Sequence, residues 1–188
     1  MRITGGVLTG RKIEVPPGII RPAMDRMRES VFAVLGNIEG KSFLDLFTGS
    51  GIIALEAASR KARPLEAVEM DGGKRRVLLD NVKLSAERIH CHFMPVELYV
   101  KRMGAKGKRF DYIFCDPPFP YKYKGELLAN IARSTLMDES SLLMLHHPSS
   151  EFFDAGVLAL TPQDRREYGR SVVDFFSLQS GRLYGHAD

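Results

Sequence analysis

Asp116-Pro117-Pro118-Phe119 follows the apolar run Tyr112-Ile113-Phe114-Cys115, which reads as a buried strand. An acid, two prolines and an aromatic at the carboxyl end of a strand form a rigid ledge. Each proline fixes its own φ and removes an N–H, so the carbonyls there face outward without a competing donor. Asp116 can accept hydrogen bonds from an amino group, and Phe119 offers a face to a flat ring. Together they suit chemistry on a planar exocyclic amine. A polar turn after a strand is the plainer reading, but a turn asks only for proline or glycine.

Asp45-Leu46-Phe47-Thr48-Gly49-Ser50-Gly51 is the second signal. Its glycines remove Cβ where a ligand must approach backbone at a helix N-terminus. Glu69 lies twenty residues after Gly49, at the end of the next strand, where a carboxylate grips ribose hydroxyls. Gly49-x-Gly51-x-x-Ala54 with Glu69 also fits a dinucleotide fingerprint, so a nicotinamide-dependent oxidoreductase competes. Asp45 argues against it. A carboxylate just before the loop would repel a pyrophosphate, yet could pair with an amino-acid ammonium or order the loop. The oxidoreductase reading also leaves the Asp116 ledge without work.

These residues need a frame, and the chain alternates apolar strands with amphipathic helices, which implies a parallel sheet wound on both sides. Strands are expected at 43–47, 65–70, 89–94, 110–115 and 141–146. Helices are expected at 24–35, 52–60, 73–86, 96–103 and 125–133. An antiparallel pair, 163–168 and 172–178, turns at Gly169. Met24, Met27, Val31 and Leu35 share one helical face. Residues 2–15 suggest a short hairpin turning at Gly5-Gly6 and ended by Pro16-Pro17-Gly18. The expectation is an α/β, Rossmann-like, seven-stranded sheet with a C-terminal antiparallel hairpin and a small N-terminal β-hairpin. Residues 1–188 form one domain, with 1–18 the extension and 19–188 the catalytic core.

The chain has 188 residues, 44% hydrophobic and 27% charged, with a net charge of +4. Those are ordinary globular values with a basic lean toward a polyanionic partner. Arg11, Lys12, Arg26, Arg28, Lys122 and Lys124 are the candidate phosphate contacts. The acid-free run from Lys101 to Arg109 reads first as a solvated face. No apolar stretch approaches the ~20 residues of a membrane span, and the N-terminus lacks a signal-peptide core, so a cytoplasmic protein is expected. Cys91 and Cys115 lack metal or disulfide spacing. His146 and His147 are adjacent on a strand and face opposite sides, so no metal is expected there. For Glu69 the plainer role is capping the next helix, although Asp71 is better placed for that.

These pieces resemble the RsmD-type methyltransferases, which place one methyl group on a guanine N2 amine of bacterial 16S ribosomal RNA. The resemblance runs over nearly the whole chain. It rests on Met1-Arg2-Ile3-Thr4-Gly5-Gly6 with Gly10-Arg11-Lys12, on Arg21-Pro22-Ala23-Met24-Asp25-Arg26-Met27-Arg28-Glu29, and on Asp45 through Gly51 with Leu55-Glu56-Ala57. Val68-Glu69-Met70-Asp71, Asp116 through Phe119 and Tyr168-Gly169 complete it. Ile20 stands where threonine is common, Pro95 replaces the usual third-strand acid, and His146-His147-Pro148 ends a strand where an acid is usual.

The resemblance implies a class I methyltransferase fold and S-adenosyl-L-methionine as cofactor. It carries Arg21, Asp45, Phe47, Thr48, Gly49, Ser50, Gly51, Glu69 and Met70 over as cofactor contacts. Asp116, Pro117, Pro118 and Phe119 become the catalytic set, with Asp116 and the Pro117 carbonyl accepting the amine N–H and Phe119 stacking on the base. The target guanine must be unpaired or flipped out. The implied partner is 16S ribosomal RNA, within the small ribosomal subunit, met by a monomer without metal or membrane. The ledge is shared with DNA-base and protein-glutamine amino-methyltransferases, which stay as alternatives. A catalytically silent RNA-binding module would not need Asp45, Glu69 and Asp116 together.

Overall fold

The computed structural model describes residues 1–15, 23–154, 156 and 158–179. Pro16-Pro17-Gly18, Arg21 and the proposed boundary at residue 18 lie outside the described residues. The elements run α1 (Ala23–Leu35), β1 (Phe43–Leu46), α2 (Ile52–Ser59), β2 (Leu65–Glu69), a short 3₁₀ turn (Gly72–Lys74) and α3 (Arg75–Val82). Next come β3 (Ile89–Phe93), α4 (Val96–Ala105), β4 (Tyr112–Cys115), α5 (Lys124–Arg133), β5 (Leu142–Pro148), β6 (Leu160–Tyr168) and β7 (Ser171–Leu178).

One seven-stranded sheet has the order β3-β2-β1-β4-β5-β7-β6. β1 to β5 pair in parallel, whereas β7 runs antiparallel to β5 and to β6. Helices cover both faces, so β1, β4 and β5 read as near-continuous apolar runs rather than alternating ones. One apolar cluster joins α1, α2 and the N-terminal Ile3 and Ile13 to one face. Another joins α4 and α5 to the opposite face.

The chain leaves β1 toward β2 and β3, then returns to place β4 on the other side of β1. Strand order reverses there, and such a switch opens a crevice beyond the strand carboxyl ends. Leu46 pairs with Cys115, and the Asp116 N–H donates to the Leu46 carbonyl at 3.2 Å. The glycine loop and the proline ledge thus begin side by side.

Most element ends move by one or two residues, and two boundaries move further. The helix expected over 73–86 is a 3₁₀ turn followed by α3, which stops at Val82. Asp71 does cap it, accepting from the Gly73 N–H at 2.9 Å. The last antiparallel pair begins at Leu160, because β6 tolerates Pro162 as an edge strand with an irregular register between Pro162 and Asp164. Among the described residues no helix is long and apolar enough to cross a membrane.

The N-terminal extension is a narrow loop closed by a single antiparallel bridge, Arg2 to Lys12, rather than two regular strands. Gly6, at φ +81°, lies so close to α2 that a Cβ there would sit 2.0 Å from the Ser59 carbonyl oxygen. Glu56 of α2 is the anchor beneath it. Its carboxylate accepts from the Thr4 N–H at 2.8 Å, from Arg28 Nε at 3.1 Å and from Arg60 Nη1 at 2.6 Å. Arg28 also donates to the Arg2 carbonyl and to Asp25. Its side chain is fully buried.

Removing Glu56 would strand the Arg28 charge without its buried partner. Glu56→Ala is therefore expected to lower the unfolding free energy by about 3–5 kcal/mol in urea titrations. Glu39→Ala, which breaks the half-exposed pair with Lys61, is expected to cost about 1 kcal/mol or less.

Candidate active site

A cleft of about 580 Å³ opens over the β1/β4 junction. Phe47, Glu69, Met70, Asp116, Pro117, Pro118 and Phe119 line it, so the ledge and one side chain of the glycine loop face one space, whereas Asp45 and Thr48 to Gly51 stand behind that wall. Lys74, Asp71, Val96, Glu97, Tyr121 and His146 complete the wall.

The loop after β1 is held from behind by carboxylates. Phe47 takes φ 63°, Gly49 58° and Gly51 83°. The left-handed region costs a non-glycine residue energy, so the Phe47 turn needs outside support. At Gly51 a Cβ would also meet Leu78 Cδ1 at 2.7 Å. Asp45 Oδ2 accepts from the Thr48 hydroxyl and from the Ala54 N–H at 3.1 Å, which ties strand, loop and helix together. Glu69 Oε2 accepts from the Gly49 N–H at 2.9 Å, and Oε1 accepts from the Asp71 N–H at 2.8 Å.

Asp45 is buried, and among the described residues its Oδ1 has no hydrogen-bond partner. Burial pushes its carboxyl up to about 7, against the pull of the bonds from Thr48 and Ala54. The Asp116 and Glu69 charges add to the rise.

The ledge is equally constrained. The Tyr121 N–H donates to the Pro118 carbonyl at 2.8 Å. The Tyr121 ring meets Phe47 edge-on at 5.3 Å, and its hydroxyl donates to Glu97. Burial first, and then that bond, push the Tyr121 hydroxyl well above the usual phenol range. Lys124, also buried, donates to the Phe119 carbonyl at 2.7 Å, the Tyr121 carbonyl at 2.8 Å and Glu151 at 3.0 Å. It closes the loop between ledge and α5 and ties it to the segment after β5.

Lys124 and Arg28 were expected to meet phosphates. Instead each is buried, with its donors spent inside the protein. Arg11, Lys12, Arg26 and Lys122 are exposed and stand outside the cleft. In the basic run, Lys108 closes on Glu66 and Arg109 on Asp138, while Lys101, Arg102 and Lys106 are exposed. Arg21 lies outside the described residues.

His146 and His147 do face opposite sides. His146 Nδ1 lies 2.8 Å from Asp116 Oδ1, and His147 Nε2 lies 2.9 Å from Asp174 Oδ2. Although His146 lines the cleft, sequence reasoning gave it no role at the site. It also passed over Asn81 of α3, buried, which donates to the Ser50 carbonyl at 2.8 Å and exchanges bonds with the Glu14 backbone. A signal existed, because asparagine is a poor helix-interior residue and a buried one needs partners.

Sheet order, glycine loop and ledge define a class I methyltransferase fold. Residues 1–177 match the family described as Conserved hypothetical protein 95. The chain belongs to that family, the RsmD-type methyltransferases. It is 36% identical over 126 residues to the Escherichia coli K12 protein named Ribosomal RNA small subunit methyltransferase D. That match covers 63% of this chain and 60% of the relative, less than two thirds of the relative's length. A solved Escherichia coli structure, 26% identical, has a TM-score of 0.81 over 96% of this chain and 99% of that one. A hypothetical protein of Thermus thermophilus, 30% identical, has a TM-score of 0.80 over 95% and 99%.

The raised Asp45 carboxyl has a consequence for stability. Its native value near 7 exceeds the ordinary 3.8, so the native state keeps a proton that the unfolded chain has released. The stability this confers is full below the unfolded value and is lost as pH rises through the folded value. Urea midpoints should fall between about pH 4 and about pH 7 in the native protein and fall less in Asp45→Asn.

Proposed function

We propose that this protein transfers a methyl group from S-adenosyl-L-methionine to the exocyclic N2 amine of a guanine in 16S ribosomal RNA of the small subunit. The observation that carries the reading is the charge of the cleft. Among the described residues its wall holds four carboxylates, Glu69, Asp71, Glu97 and Asp116, against one ammonium, Lys74. Such a wall favours a cationic sulfonium and ammonium and disfavours a pyrophosphate. That weighs against a nicotinamide dinucleotide.

The residues fit the cofactor. Among the described residues Asp45 Oδ1, on β1 just before a loop whose glycines leave backbone open, is a buried oxygen lacking a donor. Glu69 holds the loop through Oε2, which also takes the Lys74 ammonium at 3.4 Å, while Oε1 accepts only the Asp71 N–H and keeps a lone pair for a ribose hydroxyl. Phe47 and Met70 supply apolar walls, while Thr48, Ser50 and Gly51 shape the turn. Pro95 leaves the third-strand tip without an acid, and Glu97 already takes the Tyr121 hydroxyl, so adenine recognition falls to backbone groups. The cofactor supplies an electrophilic methyl group on a positively charged sulfur.

The chain's own residues do the rest by placement. Asp116 and the Pro117 carbonyl accept the amine N–H bonds, which draws the nitrogen lone pair out of conjugation. Phe119 stacks on the base, and Pro118 keeps the ledge rigid. Positioning and fixed dipoles supply the acceleration. The chain acts as one domain, a cytoplasmic monomer, with residues 1–18 as an extension on the core. The exposed Arg11, Lys12, Arg26 and Lys122 meet phosphates.

Tritiated methyl should pass from S-adenosylmethionine into a single guanine of small subunits that lack the modification. Asp116→Ala should slow that transfer at least about a hundredfold while cofactor binding persists. Label absent from subunits and free ribosomal RNA, with cofactor still bound, would send the search to DNA and protein amines. Neutralising Arg11 or Lys12 should weaken RNA binding and lower the log–log salt slope by about one each.

A further inference from the structure

His146 lines the cleft and has no part in the proposed methyl transfer, on which this inference rests. It sits on β5, the strand beside β4, with its ring almost wholly buried. Phe119 meets the ring edge-on at 5.6 Å, and β7 holds the backbone through the His146–Val173 pairing. Nδ1 lies 2.8 Å from Asp116 Oδ1. Asp116 itself remains partly open to the cleft.

A carboxylate can only accept, so the hydrogen between them belongs to Nδ1. We infer that His146 is a positioning residue for methyl transfer: its Nδ1–H engages Oδ1 of Asp116, fixes the carboxyl plane and leaves Oδ2 to receive the substrate amine. Without it the Asp116 carboxylate could rotate about its last bond, a broad twofold torsion. The nitrogen must offer its lone pair in line, so a rotating acceptor would spoil the attack geometry. As the C–N bond forms and the C–S bond breaks, the sulfur keeps the bonding pair. The surplus N–H proton then leaves by way of Oδ2 to water. His146 gains and loses no proton in this step. Its neighbour His147 cannot substitute, because it faces Asp174 on the other side of the sheet.

Two variants separate this role from packing. His146→Phe fills the space but donates nothing, whereas His146→Asn places an amide donor near the Nδ1 position. With small ribosomal subunits as substrate, His146→Phe should lower kcat about tenfold, the worth of one oriented hydrogen bond, with KM for the cofactor nearly unchanged. His146→Asn should recover most of that loss. Equal loss in both variants, or unchanged kcat in His146→Phe, would overturn the inference.

Nitrogen-15 NMR of the histidine rings tests it without turnover. The His146 ring should be the Nδ1–H tautomer in the native protein and should lose that preference in Asp116→Ala. An Nε2–H tautomer in the native protein would sink the inference even if methyl transfer is observed. Absent methyl transfer by the native protein would sink the ribosomal reading alone, leaving the tautomer to decide this one.

Discussion

The pairing of β1 with β4 is the constraint on which the site depends. Four parallel pairs, Phe43–Tyr112 to Leu46–Cys115, align two strands whose sequences lie far apart. The register ends with the Asp116 N–H on the Leu46 carbonyl, so the loop and the ledge leave the sheet from adjacent points. A shift of one residue would turn every side chain of β4 to the other face and move the ledge away. Apolar burial on both faces fixes that register, since Leu44, Leu46, Ile113 and Cys115 share one cluster and Phe43 and Phe114 the other.

Buried charge organises what the sheet alone leaves loose. Glu56 gathers Thr4, Arg28 and Arg60 around α2, the helix that begins at the glycine loop. Asn81 joins the Glu14 backbone to the Ser50 carbonyl, so the N-terminal extension and the loop share one fastening. Lys124 does the same for the ledge and the segment after β5. Each polar group lies where an unpaired partner would be costly, which makes these contacts rigid rather than optional. The strained Phe47 backbone is held within this frame, between the Asp45 bonds and the Tyr121 ring.

Much of this was legible beforehand because it is local. Apolar runs flanked by turn residues mark strands, and Asp116-Pro117-Pro118-Phe119 and Thr48-Gly49-Ser50-Gly51 carry their geometry in their residue types. Element ends were less so. Val82 ends α3 early where the Leu84 and Ser85 N–H groups take turn-type bonds, and β6 gains Leu160 to Pro162 by pairing with β7. Such boundaries depend on partners distant in sequence.

Sequence by itself determined the sheet class and the local form of the two motifs, because proline, glycine and a strand-end carboxylate act over a few residues. Tertiary structure alone decided which cations reach solvent. Arg28 and Lys124 look like their exposed neighbours Arg26 and Lys122 in the chain, yet they are buried against Glu56 and Glu151. It also decided that His146 meets Asp116, thirty residues away, while His147 turns to Asp174. The reason is physical: a charged side chain's role is set by what lies within hydrogen-bond reach after folding, and neighbours across a sheet leave no mark on the residues beside them in sequence.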